Sequence, residues 1–137
     1  MIKVTRPGEK VLETSLEVSK ARRAYWAGIR QAKIEGKAII ASTGIFPREL
    51  WHALGIPVLV TEDLASLLSL KQLSGRYRDI AEEKGFPRSS CSLYGTILGV
   101  AAAEEREPYT ESLFVVPDAI IASNLACMPA SKFSLYW

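Results

Sequence analysis

Long apolar runs, paired cysteines and glycine-rich loops are all missing from this 137-residue chain. No apolar run approaches the roughly 18 to 20 residues that a membrane-spanning helix needs. The opening MIKVTRPGEK also lacks the apolar core of a signal peptide. The expectation is a cytoplasmic protein with no membrane partner. An excess of one charge is absent too: 17 basic and 15 acidic residues give a net charge of +2, mixed along the chain. No nucleic-acid partner is therefore expected. The two cysteines, Cys91 and Cys127, stand far apart, so there is no CxxC metal motif. In a reducing compartment they read as thiols or metal ligands rather than a disulfide, with inert core thiols as the plain alternative. No GxGxxG follows a strand and no GxxxxGK[ST] occurs, which removes the usual nucleotide-binding loops. The single histidine, His52, and the lack of a GxSxG elbow leave no basis for a Ser-His-Asp triad.

Hydrophobic residues make up 48% of the chain, enough for the core of one domain. Its centre is the stretch from Gly36 to Val60. An apolar run at Ala38–Ser42 reads as a strand covered on both faces, and Pro47 opens a short helix. Gly55 stops that helix, and Pro57–Val60 is a second strand. The pentapeptide AIIAS of Ala38–Ser42 recurs at Ala119–Ser123. Two buried strands, each ending in a small polar loop, point to parallel neighbours that deliver their loops to one edge of a sheet. In open α/β sheets, ligands bind beyond those carboxyl ends. Function is thus expected around Ser42–Phe46 and Asn124–Met128.

Elsewhere the pattern alternates helices with strands. Ser15–Glu35 fits an amphipathic helix lying on the sheet and stopped by Gly36. Thr61 reads as the N-cap of an acidic first turn (Glu62, Asp63) leading into LASLLSLKQL. SGRYRDIAEEK is a polar helix ending at Gly85. Ser92 caps LYGTILGVAAAEE, whose Gly95, Gly99 and Ala101–Ala103 permit close approach to a neighbour. Glu107–Pro117 reads as a connection. The expected fold is a three-layer, Rossmann-like α/β domain over residues 1–137, with a mainly parallel sheet and helices on both faces. The ending SKFSLYW places Phe133, Tyr136 and Trp137 together, a surface suited to a partner or to further chain.

Three ordered segments carry a resemblance. STGIFPRELWHALGIPVLVTEDLASLL, AEEKGFPRSSCSLYGTILG and DAIIASNLACMPASKF resemble, in that order, the early part of the benzoyl-CoA reductase and 2-hydroxyacyl-CoA dehydratase family. The details PRELWHALGIPV and Glu62 look closer to the reductase branch. The resemblance implies the N-terminal half of a two-domain subunit that pairs with a homologous second subunit. It further implies a 4Fe-4S cluster held by Cys91 and Cys127, with a third cysteine that this sequence does not contain. Ser42 and Glu49 would then be catalytic, with Thr43, Glu62 and Asn124 contacting substrate. The implied activity is one-electron reduction of an acyl-CoA thioester, with the electron supplied by a separate ATP-dependent iron–sulfur activator. Two other readings remain open: a hydrolase or transferase using Cys91 as nucleophile, and a non-catalytic α/β binding or interaction domain with inert cysteines.

Overall fold

A computed structural model of the chain describes residues 12–43 and 46–123. The elements run α1 (Glu13–Ile34), β1 (Ile40–Thr43), α2 (Arg48–Ala53), β2 (Val58–Val60), α3 (Thr61–Leu70), α4 (Ser74–Glu83), α5 (Ser92–Ala102), α6 (Pro108–Glu111) and β3 (Ala119–Ala122). The strands form one parallel sheet in the order β2-β1-β3. This is the three-layer α/β architecture read from the alternating pattern, and β1 lies at its centre.

Successive side chains of a strand point to opposite faces. Ile39, Ala41 and Leu59 join the main apolar core, together with Trp26, Leu64, Leu68, Tyr77 and Ile97. Ile40, Val58 and Val60 are buried as well, outside that cluster. Both faces of β1 and β2 are therefore covered, which explains why these two strands read as unbroken apolar runs rather than as alternation. β3, expected to be buried as well, lies at the sheet's edge, exposed at Ala119 and half-buried from Ile120 to Ala122.

The repeated AIIAS pentapeptides are spatial neighbours, staggered by two residues. Ile40 pairs with Ala119 and Thr43 with Ala122, so the fifth residue of the second copy lies just beyond the last pair. Asp118 sets this register. Its backbone N–H donates to the Ile39 carbonyl at 2.8 Å, and its carboxylate accepts the Ile39 N–H at 2.8 Å and the Lys33 ammonium at 2.8 Å. The hydrogen bonds from Lys33 and then Ile39 hold the Asp118 carboxyl below the usual carboxylate range. β1 starts at Ile40, two residues after the expected start.

The helix stops follow local chemistry. After α1, Gly36 has φ +74°, its N–H donates to the Lys33 carbonyl and the Lys37 N–H to that of Ala32. This pair of bonds is the Schellman closure, which satisfies orphan carbonyls through a residue in left-handed conformation. Gly55 ends α2 in the same way. Gln72 repeats the closure after α3 at φ 57°, where a side chain is disfavoured.

The helix starts differ from expectation. None of the described helices has a side-chain N-cap bond. Thr61 and Ser92, expected as caps, are the first helical residues, and Pro47 stands one position before its helix. β2 runs straight into α3 with no intervening residue, so Thr61 has no room to cap. Pro108–Glu111, expected as part of a connection, forms the short α6 with Pro108 in its first turn. Only the second half of α1 packs: Trp26, Ile29 and Ala32 are buried, whereas Leu16 and Val18, expected against the sheet, are exposed.

The α4–α5 contact is the tightest in the core. A Cβ placed on Gly99 would lie 1.7 Å from the Tyr77 carbonyl oxygen, so the expected close approach is an absolute requirement at this position. α5 is buried continuously from Tyr94 to Val100, as befits a helix apolar all round. No helix among the described residues is long and apolar enough to cross a membrane.

Candidate functional site at the carboxyl edge of the sheet

Parallel pairing sends the chain ends after Thr43, Val60 and Ala122 to one edge. The Ser123 N–H donates to the Thr43 carbonyl at 3.3 Å, which carries the β1–β3 pairing one residue past the ladder. The sequence expectation that these loops share an edge therefore holds for the strands that deliver them.

Ser42 and Thr43 close β1 and are both buried. The Ser42 carbonyl lies 3.2 Å from the Thr61 hydroxyl, which is also 3.1 Å from Glu62 Oε2, so one hydroxyl proton serves two acceptors. The other carboxylate oxygen of Glu62 accepts the Tyr94 phenol at 2.9 Å. A polar chain thus runs from the end of β1, through the start of α3, to the first turns of α5. Thr43 takes no part in it: its hydroxyl is buried and makes no hydrogen bond among the described residues. A buried hydroxyl without a partner costs free energy, on the order of 1–3 kcal/mol in protein mutational data.

Cys91 precedes α5 at its N-cap position, half-buried with a free thiol, and its carbonyl accepts the Gly95 N–H at 2.9 Å. Tyr94 stands one turn further along the same helix. Glu62, Ser42 and Cys91 are in this way borne on elements linked by explicit bonds. Glu49 is not tied to them. It is exposed in the first turn of α2 and forms no ion pair among the described residues. The neighbouring Arg48 reaches Asp63 of α3 at 3.9 Å. Asn124 and Cys127 lie outside the described residues, as do Phe133, Tyr136 and Trp137. His52 is exposed on α2, in keeping with a surface histidine.

Sequence reading missed Tyr94 and the bridging role of Thr61. A tyrosine three residues after a candidate ligand on a helix start was the available signal, but its partner on α3 is distant in sequence. The donor set can be weighed directly against an iron–sulfur cluster. Among the described residues, no three His, Cys, Asp or Glu side chains gather as a metal site. Cys91 suits one thiolate ligand of such a cluster, and the described residues do not complete its set.

Tyr25 ties α1 to the amino end of β2, away from the carboxyl edge. Its phenol donates to the Val58 carbonyl on β2. Burial first, and then the nearby Asp63 charge, push its pKa up to about 12.

No protein-family model matches the chain. Over 121 residues, 88% of its length, it is 29% identical to the (R)-2-hydroxyisocaproyl-CoA dehydratase alpha subunit of Clostridioides difficile. The chain spans about 29% of the length of that subunit.

Proposed function

The chain is related to the 2-hydroxyacyl-CoA dehydratase family, and from that premise we propose that it is part of an iron–sulfur enzyme acting on acyl-CoA thioesters. The observation that carries this reading is the linked carboxyl edge. β1 and β3 end side by side at Thr43 and Ala122, and the Thr61–Glu62–Tyr94 chain fastens the Cys91 end of α5 to the end of β1. Cys91 and Cys127 are proposed as two cluster ligands, the second five residues after β3 in the sequence.

A bound cluster supplies a low-potential electron for one-electron reduction of the thioester. The chain's own residues have other tasks. Buried Ser42 and Thr43 line the strand end, and the unpartnered Thr43 hydroxyl is available to donate to a substrate oxygen. Glu62, held by Tyr94 and Thr61, offers an oriented carboxylate beside them. Glu49 and Asn124 complete the proposed set from the two flanking loops. The reading extends to a homologous second subunit and to a separate ATP-dependent iron–sulfur activator as partners. The relative's printed activity favours dehydration of a 2-hydroxyacyl-CoA over ring reduction.

Anaerobic iron and sulfide analysis of the full native protein tests the proposal, with Cys91→Ala and Cys127→Ala in parallel. The expected result is cluster absorbance and stoichiometric iron and sulfide in the wild type, with both lost in each variant while far-ultraviolet circular dichroism is retained. A folded wild-type protein without iron, in the presence of its partner subunit, would sink the redox assignment. It would leave a binding domain with inert cysteines as the better account.

A further inference from the structure

A second hollow lies away from the linked edge, between α1, the end of α3 and the α6 region. It encloses about 740 Å³, within the roughly 300–1,000 Å³ of small-molecule pockets. α1 gives it one continuous face, with Arg22, Arg23, Trp26 and Arg30 at helical spacing. Lys71 and Tyr109 close the opposite side, while Leu67 and Leu113 supply apolar wall.

The charge distribution is what sets this hollow apart. The chain as a whole is nearly balanced, yet among the described residues four cations line one cavity and no carboxylate does. None of the four is in an ion pair among the described residues, whereas Arg48, Arg76, Arg88 and Arg106 all are. Arg30 is steered by donating to the Glu111 carbonyl at 2.7 Å, and the Lys71 ammonium sits 5.3 Å from the Tyr109 ring centroid. All four are exposed; four like charges lining one space repel each other, and an anion placed among them relieves that repulsion. Guanidinium groups match phosphate in a bidentate fork. The apolar wall of Trp26, Ala27, Leu67 and Leu113 suits an organic body attached to the phosphates.

We propose that this hollow binds an organic phosphate of nucleotide size carrying two or more phosphate groups, with Arg22, Arg23, Arg30 and Lys71 as its phosphate contacts. A free adenine nucleotide and the phosphorylated adenosine end of coenzyme A share this chemistry. The proposal does not rest on the thioester reading, because binding of ADP requires no turnover of an acyl-CoA.

The test is titration calorimetry of the full chain at low salt with ADP and with coenzyme A, beside adenosine, inorganic phosphate and an oligoglutamate peptide. ADP or coenzyme A should bind at micromolar concentration, adenosine should not, and inorganic phosphate should bind at least about tenfold more weakly. Preference for ADP identifies a free nucleotide as the ligand, and preference for coenzyme A identifies the thioester carrier; both support the proposal. Arg22 and Arg23 are exposed, so the double variant Arg22→Gln, Arg23→Gln should keep its fold and weaken binding on the order of tenfold or more. Lys71→Gln, on a separate helix, should weaken it independently. No binding of either nucleotide, unchanged affinity in these variants, equal affinity for inorganic phosphate, or tighter binding of the peptide would each overturn the proposal.

Discussion

The α4–α5 contact and the carboxyl edge of the sheet are built on opposite rules. In the first, a bare glycine backbone meets the Tyr77 carbonyl, and the surrounding side chains (Tyr77, Ile97, Val100) are apolar or aromatic and wholly buried. In the second, buried positions carry Ser42, Thr43 and Thr61, and one hydroxyl is left without a partner. A domain this small gains little from burying polar groups, and an orphan hydroxyl subtracts from its stability. The difference teaches where the fold is optimised for packing and where it tolerates a cost; the same cost recurs at the Trp51 indole on α2 and the Thr110 hydroxyl on α6, so an orphaned group alone does not single out the edge.

The largest expected effect breaks the packed side of this comparison. Gly99→Ala places a methyl group where only a hydrogen fits, against backbone that cannot rotate away. α4 and α5 must separate, at an expected cost of about 3 kcal/mol or more. Urea denaturation should show a lower midpoint or a loss of cooperative unfolding. A midpoint within error of wild type would mean that the two helices are held less closely than this.

A smaller effect is expected at the polar side. Tyr94→Phe removes the phenol that donates to Glu62 at 2.9 Å and retains the ring's bulk in the core. Hydrogen bonds to charged acceptors are worth about 1.5–3 kcal/mol, so the unfolding midpoint should fall without a change in denaturant slope. If the proposed cluster role of Cys91 is right, the same variant should broaden the cluster's electron paramagnetic resonance lines, since the bond fixes the helix start on which Cys91 stands. Glu62→Gln keeps an acceptor for Tyr94 and should cost less stability than Tyr94→Phe.

The contrast between the two regions also explains what the sequence made legible. β1 and β2 showed as apolar runs because both their faces are covered, and the two AIIAS copies pair in parallel although β1 is buried and β3 is partly exposed at the edge. Gly36 and Gly55 announced helix ends through a conformation that other residues adopt at a cost. The small residues of α5 foretold a close neighbour. None of these needs knowledge of distant contacts. The Glu62–Tyr94 bond and the placement of Asp118 against Ile39 and Lys33 do need it, since each joins elements whose approach is decided by the whole fold. Helix starts failed for a related reason: Thr61 and Ser92 are good capping residues, but the direct passage from β2 into α3 and the backbone at Cys91 put each of them one position inside the helix. The reading of α1 failed at Leu16 and Val18 because periodicity says which residues share a face and not how far the core extends beneath it.

Gln72 sharpens the comparison from outside both regions. It occupies the same left-handed closing position that Gly36 and Gly55 occupy elsewhere, with its N–H donating to the Ser69 carbonyl at 2.9 Å and the Leu73 N–H to that of Leu68 at 2.9 Å. Gln72→Gly relieves the side-chain strain of this conformation and increases the freedom of the unfolded chain, two effects that partly cancel. The net expectation is a gain of about 0.5 kcal/mol, read as a raised thermal midpoint. Gln72→Val should lower the midpoint, because branching at Cβ worsens the same clash.

The smallest effect concerns the register that aligns the two proposed loops. Asp118 is exposed, and its carboxyl lies below its ordinary range because Lys33 and the Ile39 N–H bind the charged form. A group whose folded pKa is depressed contributes stability above its unfolded pKa, near 4 for aspartate, and loses that contribution as pH falls through the folded value. Stability at pH 7 therefore includes the Asp118 contribution in full, and acid removes it below about pH 4. In Asp118→Asn the amide can still accept from Ile39 but has no charge for Lys33, so the variant should be slightly less stable than wild type at pH 7. The two curves should converge below pH 4. Added salt should narrow the gap at pH 7, since the Lys33 pair is open to solvent and screened. If the gap is constant from pH 7 to pH 3, the bond to Ile39 rather than the charge fixes the register. Hydrogen exchange at the Ile39 amide would then be the faster of the two proteins' only in a variant lacking any acceptor, Asp118→Ala.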